Sequence, residues 1–282
     1  MIVRPATPAD LRAIREIADA EEAPPSPADG FPEALDAYYL HLIAYGEFVV
    51  ADEAGTVVGF AAAIDSGRGV HLADLFVRRE RRSGGIGRRL LESVLDARWP
   101  RTTFSSDDPR AMPLYVRSGM LPLWPNLYLA GDARRLPAPP SSLRVEAVGA
   151  ARVAALERDW SGIDRPVQHE YWAGQPAAVA LVVADGERPV AAGHARSMLR
   201  GGGRWMNAFV VAPDVPPHDP TLAAIGWSAD AEGRIGTCVL GPHPIVPTLV
   251  EAGFRIVDRD TFQASDPALV DPERILPNPG FL

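Results

Sequence analysis

The apolar residues of the chain follow two spacings, and both predict regular structure. Apolar positions three or four residues apart predict helices, and short apolar or alternating runs between turn residues predict strands. In the first half of the chain, the predicted strands are 2–5, 48–52, 57–64, 70–77, 102–105 and 121–129. The predicted helices of that half are 8–20, 32–45, 85–97 and 109–118.

The second half of the chain repeats this order. Its predicted strands are 143–148, 179–185, 189–199, 205–212, 235–240 and 254–264, and its predicted helices are 150–160, 220–231 and 244–252. The segment FVVADEAGTVVGFAAA matches LVVADGERPVAAGHAR, and YVRSGMLPLW matches LVEAGFRIVD. One supersecondary plan used twice explains these paired landmarks, so the sequence favours an internal duplication over two unrelated α/β domains.

A segment rich in proline and small polar residues, GDARRLPAPPSS at 131–142, separates the two halves. Such composition is typical of domain boundaries. The sequence therefore predicts a first domain at 1–130, a linker at 131–142 and a second domain at 143–282. Each domain is expected to be α+β, with a mixed, mostly antiparallel sheet flanked by helices, and the two sheets are able to join edge to edge.

Charge and composition exclude several classes of function. The formal net charge of −8 argues against a general nucleic-acid binder. No stretch of 18 apolar residues indicates a membrane span, and the N-terminus lacks a secretory pattern, so a cytoplasmic protein is expected. All 28 basic residues are arginine, so a lysine Schiff base and a P-loop lysine are both excluded. The six histidines show no ligand spacing, and no metal is expected.

The segment LFVRRERRSGGIGRRLL, at 75–91, carries the clearest chemical signal. A predicted strand ends at Val77, and a glycine-rich turn precedes a helix. Between Arg78 and Arg89 lie six arginines and one acid. Backbone N–H groups at a helix start bind anions, so the pattern indicates a pyrophosphate site. A solvated arginine-rich turn is the alternative, and a dinucleotide-binding fingerprint is disfavoured because its third glycine is missing.

Two motifs at this spacing resemble the GNAT superfamily of acyltransferases. The first is Arg82-Ser83-Gly84-Gly85-Ile86-Gly87, which is similar to that family's phosphate loop. The second is a helix with Ala111 and Tyr115, followed by Gly119-Met120. The element order of residues 1–130 also matches. The resemblance implies two tandem GNAT-like domains and acetyl-CoA as acyl donor.

The resemblance also implies where acetyl-CoA would lie. The pantetheine arm would pair like an added strand with the backbone of Leu75, Phe76 and Val77. The pyrophosphate would be held by the amides of Ser83, Gly84, Gly85, Ile86, Gly87 and Arg88. Arg78, Arg82 and Arg88 are candidates for the remaining phosphate charge, because guanidinium suits phosphate oxygens.

Acetyl transfer to an amine also needs an acid and a base. Tyr115 matches the family tyrosine that protonates the leaving sulfur, and the backbone N–H near Val77 would stabilise the oxyanion. His71 is the favoured base, with a hydrogen-bonded structural histidine as the alternative. Asp74 is the second candidate for the base.

Four further acids have lesser expected roles. Glu21, Glu22 and Glu47 are more distant candidates that would act through water. Asp108 is expected to cap the helix of Tyr115.

The second half lacks the glycine turn, its arginines and the tyrosine. After its corresponding strand the chain reads PDVPPHDP, without glycine or arginine, and Leu249 aligns with Tyr115. The second half is therefore expected to bind no acetyl-CoA and to serve as a scaffold or as a wall of the substrate site. Aromatic residues for such a wall, or for the core, are Trp160, His169, Tyr171, Trp172 and Trp205.

The sequence thus predicts an N-acetyltransferase that acts on a primary amine of a small molecule or peptide by direct attack in a ternary complex. A monomer or homodimer is expected, without nucleic-acid or membrane partners. A hydroxyl acceptor, a longer acyl-CoA and a non-catalytic acyl-CoA sensor remain alternatives.

Overall fold

The computed structural model describes residues 1–21, 32–95, 100–106, 108–198 and 202–282. In the first half, the strands are β1 Ile2–Pro5, β2 Glu47–Glu53, β3 Thr56–Asp65, β4 Val70–Val77, β5 Arg101–Ser105 and β6 Leu121–Asp132. The helices of this half are α1 Leu11–Glu21, α2 Pro32–Tyr45, α3 Ile86–Leu95 and α4 Ala111–Arg117. The predicted bounds of α2 and β4 agree with the structure.

The second half has the same order, with one added strand at its end. Its strands are β7 Leu143–Val148, β8 Val179–Asp185, β9 Arg188–Ser197, β10 Arg204–Val211, β11 Arg234–Leu240, β12 Arg255–Ala264 and β13 Ile275–Leu276. Its helices are α5 Ala150–Ser161, α6 Pro166–Ala173, α7 His218–Ser228 and α8 Ile245–Glu251. The sequence did not predict α6 or β13.

All thirteen strands belong to one mixed, mostly antiparallel sheet. Its order is β1-β2-β3-β4-β5-β12-β6-β11-β10-β9-β8-β7, and β13 pairs with β10. The two halves exchange strands at the centre, since β12 pairs with β5 and β6 pairs with β11. A division of the sequence at 131–142 therefore does not divide the sheet, because β6 lies among the strands of the second half.

Helices cover both faces of the sheet. Along β3 successive residues point to opposite faces, as the strand geometry requires. Phe60 packs into a cluster with α1 and α2, whereas its neighbour Ala61 packs into a cluster with α3 and α4. The cluster of Phe60 also takes in Trp172 and Phe281 from the second half, so the two halves share a core.

Candidate active site

The gap between β4 and β5 is the central feature of the first half. The two parallel strands pair at three positions: Val70 with Arg101, His71 with Thr102, and Leu72 with Thr103. A bulge in β4 follows Leu72, and no described strand pairs with the β5 side of β4 beyond it. The predicted pantetheine-binding residues Leu75, Phe76 and Val77 lie on this unpaired edge, which is able to accept an extended ligand as an added strand.

The glycine-rich turn lies directly beyond the end of β4. The backbone of Ser83 and Gly85 is left-handed, with φ of 68° and 78°. A Cβ added to Gly87 would lie 3.8 Å from the Val77 side chain, so the turn adjoins the gap. Residues 83–85 are exposed, and the amides of residues 83–88 donate to none of the described residues. These free N–H groups, together with the start of α3, are able to accept an anion.

The neighbouring arginines are partly held by local contacts. Arg78 Nε donates to the Val57 carbonyl at 3.0 Å, and Arg82 Nε donates to the Val77 carbonyl at 3.1 Å. Arg88 is mostly exposed and pairs with Glu92 at 2.7 Å. Arg82 is thus fixed between the strand end and the turn, where its positive charge favours a phosphate.

Tyr115 lies on α4 with 6% of its surface exposed. Burial raises its pKa, and the negative charges of Asp74, Asp108 and Asp260 raise it further. The hydroxyl has no hydrogen-bond partner among the described residues. The phenol therefore keeps its proton at neutral pH and has it available for donation.

A general base needs a ring nitrogen that is free to accept a proton, and His71 has none. It is fully buried; its Nδ1 is 3.0 Å from the Thr102 hydroxyl, and its Nε2 is 2.8 Å from the Pro279 carbonyl. Burial lowers its pKa to about 4. Because both ring nitrogens are hydrogen-bonded inside the protein, the geometry favours the structural alternative for His71.

Asp74 has the properties of a base. Its Oδ2 is buried without a hydrogen-bond partner in the described part of the chain. Burial raises its pKa to about 6, although the nearby Tyr38 hydroxyl opposes the shift. A carboxylate with this pKa is largely ionised at neutral pH and is basic enough to take a proton.

The remaining candidate acids contribute less to this site. Glu22 lies outside the described residues, as does the side chain of Glu21, and Glu47 is exposed at the start of β2. Asp108 Oδ1 accepts from the Arg110 amide at 2.9 Å, just before α4. This bond fits the capping role expected for Asp108.

Sequence reasoning missed Tyr38 and the C-terminal segment as parts of the site. The ring of Tyr38 lies 5.3 Å from the ring of Phe281, which also contacts His41 and Tyr171. The tyrosine belongs to an ordinary helical pattern, and no short-range signal connects residue 281 with β4. Aromatic residues of both halves thus lie together beside Asp74. Tyr171 is one of them, and the sequence had left open whether it lies in such a wall or in the core.

The corresponding gap in the second half is filled. There β10 and β11 pair at three positions, from Arg204 with Ile235 to Met206 with Thr237. Beyond them β13 pairs with β10, joining Phe209 to Leu276 and Val210 to Ile275. In the repeat, Phe209 and Val210 stand where Leu75 and Phe76 stand in the first half.

Two other features of the second half also differ from the first. Leu249, in the place of Tyr115, is fully buried. Prolines follow β10 where the first half has its glycine turn, and proline has no N–H to offer a phosphate.

The described helices include none that is long and apolar enough to cross a membrane.

Comparisons with known proteins agree with this geometry. Residues 44–119 match the model of the acetyltransferase (GNAT) domain family. Comparison with curated proteins gives no significant sequence match.

Solved structures resemble the chain over nearly its whole length. A candidate acetyltransferase of Pyrococcus horikoshii is 17% identical, with 98% of this chain and 94% of that chain covered and a TM-score of 0.69. A GCN5-related N-acetyltransferase of Anabaena variabilis is 13% identical, with 93% and 72% covered and a TM-score of 0.64. A tandem GNAT protein from the clavulanic acid biosynthesis pathway is 15% identical, with 94% and 99% covered and a TM-score of 0.60.

These likenesses confirm the expected fold class. The acetyltransferase (GNAT) domain model thus matches residues 44–119, and the chain shares, over its length, the α+β fold of these solved structures.

Proposed function

We propose that the chain is an acetyl-CoA-dependent N-acetyltransferase that acetylates a primary amine of a small molecule. The observation that carries this proposal is the continuity between the unpaired edge of β4 and the free amides of the glycine turn. An extended thioester arm and a pyrophosphate need these two features in this order. The acyl donor supplies a thioester carbonyl, and the residues around the gap supply binding, proton transfer and charge stabilisation.

The cofactor contacts follow from the geometry. The β4 backbone from Leu75 to Val77 would hold the pantetheine amides, and residues 83–88 would hold the pyrophosphate. Arg82, Arg88 and the start of α3 would balance its charge. The backbone N–H near Val77 would donate to the oxyanion that develops on the attacked carbonyl.

We assign the base to Asp74 rather than to His71. A substrate ammonium must lose a proton before its nitrogen attacks, and the unpartnered Oδ2 of Asp74 is free to accept that proton. The pKa of about 6 leaves this carboxylate ionised under neutral conditions. Tyr115, which its raised pKa keeps protonated at neutral pH, would then donate its proton to the leaving sulfur.

In this proposal the second half binds no acetyl-CoA, because β13 occupies its gap. It serves as a scaffold and contributes part of the wall beside Asp74. The predicted cytoplasmic location and the monomer or homodimer state stay predictions.

Two measurements on Tyr115→Phe test the proposal. We expect release of CoA thiol with a panel of amines to fall by at least about tenfold, because general acid catalysis is lost. The affinity for CoA should stay within about twofold, because the phenol does not hold the nucleotide. A wild-type chain that binds CoA but transfers nothing to any amine would instead support the sensor. Equal turnover with alcohols would support the hydroxyl acceptor.

A further inference from the structure

A cavity separate from the β4–β5 gap lies between the two halves, away from the proposed acyl-transfer residues. Its volume is about 370 Å³, within the range of small-molecule sites. The first half contributes the β3–β4 turn and Thr102. The second half contributes the end of α5 and the residues just after it, the edge of β10 and the segment around β13. The β4 gap, the glycine turn and Tyr115 do not line it.

Five charged side chains line this cavity, and four of them form two pairs. Glu157 lies 2.6 Å from Arg165, and Asp271 lies 3.3 Å from Arg274. The fifth charged lining residue is Arg68, which is exposed and pairs with none of the described acids. One unpaired positive charge therefore remains at the edge of the cavity.

The two paired arginines are further immobilised by backbone acceptors. Arg274 Nη1 donates to the carbonyls of Ala212 and Val215, both at 2.7 Å. Arg165 Nη1 donates to the carbonyls of Phe281 and Leu282. Neither guanidinium is free to turn toward a ligand without losing these bonds, so Arg68 is the cation that a ligand would meet.

The rest of the lining offers apolar surface. Trp160, Ile163, Leu269 and Ile275 are half-buried side chains of the cavity wall. A ligand that covered them would remove apolar area from water, which stabilises the complex. The wall thus favours an apolar body, and its edge favours a single negative charge.

We propose that this cavity binds a small amphipathic monocarboxylate. The carboxylate pairs with Arg68, since a guanidinium binds carboxylate oxygens in a bidentate manner. The alkyl or aromatic part packs against Trp160 and Leu269. A dianionic phosphate ester fits less well, because one unpaired cation balances one charge. This site does not depend on the proposed acetyl transfer.

The experiment titrates the full chain, without CoA, with octanoate, octylamine and octyl phosphate by calorimetry and tryptophan fluorescence. We expect saturable one-to-one binding of octanoate, with octylamine and octyl phosphate each at least about tenfold weaker. Arg68→Glu should weaken octanoate by at least about tenfold, because the charge at the edge of the cavity is reversed. Leu269→Trp, which fills the wall, should also weaken it.

The matched control is Arg152→Glu, an exposed arginine of α5 outside the cavity lining. It makes the same charge change and should leave octanoate affinity unaltered. An unchanged free energy of unfolding in each variant would show that the fold is intact. Octanoate affinity that is the same in Arg68→Glu and wild type would overturn the proposal. Equal affinity for octylamine, or no saturable binding at millimolar octanoate, would overturn it as well.

Discussion

The β4–β5 gap and the β10–β11 gap have the same strand geometry, but the first is open and the second is occupied by β13. In both, parallel strands pair at three positions and then separate. The first gap stays open and leads to free backbone amides. The second is closed by Ile275 and Leu276, which pair where a pantetheine arm would pair. In the second half, a short strand of the same chain thus pairs with the backbone that the first half leaves unpaired.

The largest expected effect on activity comes from removing the proposed base, Asp74, from the open gap. Asp74→Asn should lower kcat by about 10²–10⁴, the usual contribution of general acid–base catalysis. In wild type, kcat/KM should rise as the pH increases through about 6, because Asp74 must be ionised to accept a proton. That rise should disappear in the variant. A variant that keeps both the rate and the pH profile would remove Asp74 from the mechanism.

His71→Asn is the contrasting variant on the same strand. It should lower the free energy of unfolding by about 1–3 kcal/mol, because it leaves the buried Thr102 and Pro279 partners unsatisfied. The activity that remains should still rise near pH 6. Loss of that rise in His71→Asn alone would return the base to His71.

In the second half, a buried charge cluster makes the fold sensitive to the loss of one partner. Glu157 accepts from Arg165 and from His169 Nε2 at 2.9 Å, and all three are buried. Glu157→Gln should lower the free energy of unfolding by about 3–5 kcal/mol in denaturant titrations, because it leaves a buried cation unpaired. Asp214→Asn, which breaks a surface pair, should change little. Equal effects of the two variants would contradict this difference.

The pH dependence of stability follows from the same cluster. Burial alone would raise the pKa of Glu157, but the charge of Arg165 and the bonds from His169 and Arg165 outweigh it and lower the pKa to about 2. The folded state therefore gains stability above the ordinary pKa of 4.5. That contribution should fade as the pH falls from 4.5 toward 2, and in Glu157→Gln this part of the dependence should be missing.

The strand β13, which closes the second gap, also contributes to stability through its buried side chain. Leu276 is fully buried, and Leu276→Ala should lower the free energy of unfolding by about 2–5 kcal/mol. The variant should not gain a second CoA site, because prolines replace the amides of the glycine turn. Appearance of a second site in calorimetry would mean that β13 alone blocks it.

Substitutions at Gly87 test whether the glycine turn binds the pyrophosphate of CoA. Gly87→Glu places a negative charge where the pyrophosphate would lie, and nothing lies closer than 3.8 Å to its Cβ. CoA affinity should fall by about 100-fold, or roughly 2.7 kcal/mol. Gly87→Ala, which adds a methyl group without charge, should cost far less. Equal losses in the two variants would point to steric disruption instead of charge.

Local patterns predicted most of the fold because local chemistry determines it. The helices α1 and α3 have strong periodic patterns, whereas α6 is short and has no apolar stripe. The exchange of β6 and β12 was not predictable, because a strand pattern does not specify which edge it joins.

The site shows the same division. The sequence pattern predicted the glycine turn as an anion site, and the resemblance to the GNAT superfamily pointed to Tyr115; both roles stay predictions. The choice between His71 and Asp74 was not predictable, since it depends on the carbonyl of Pro279, which is 208 residues from His71 along the chain.

Calorimetric titration of the full chain with CoA, in wild type and in Gly87→Glu, tests the central claim most directly. The open and closed gaps require one CoA site per chain, lost in Gly87→Glu. Two sites in wild type, a site that keeps full affinity in the variant, or no binding at all would contradict the account.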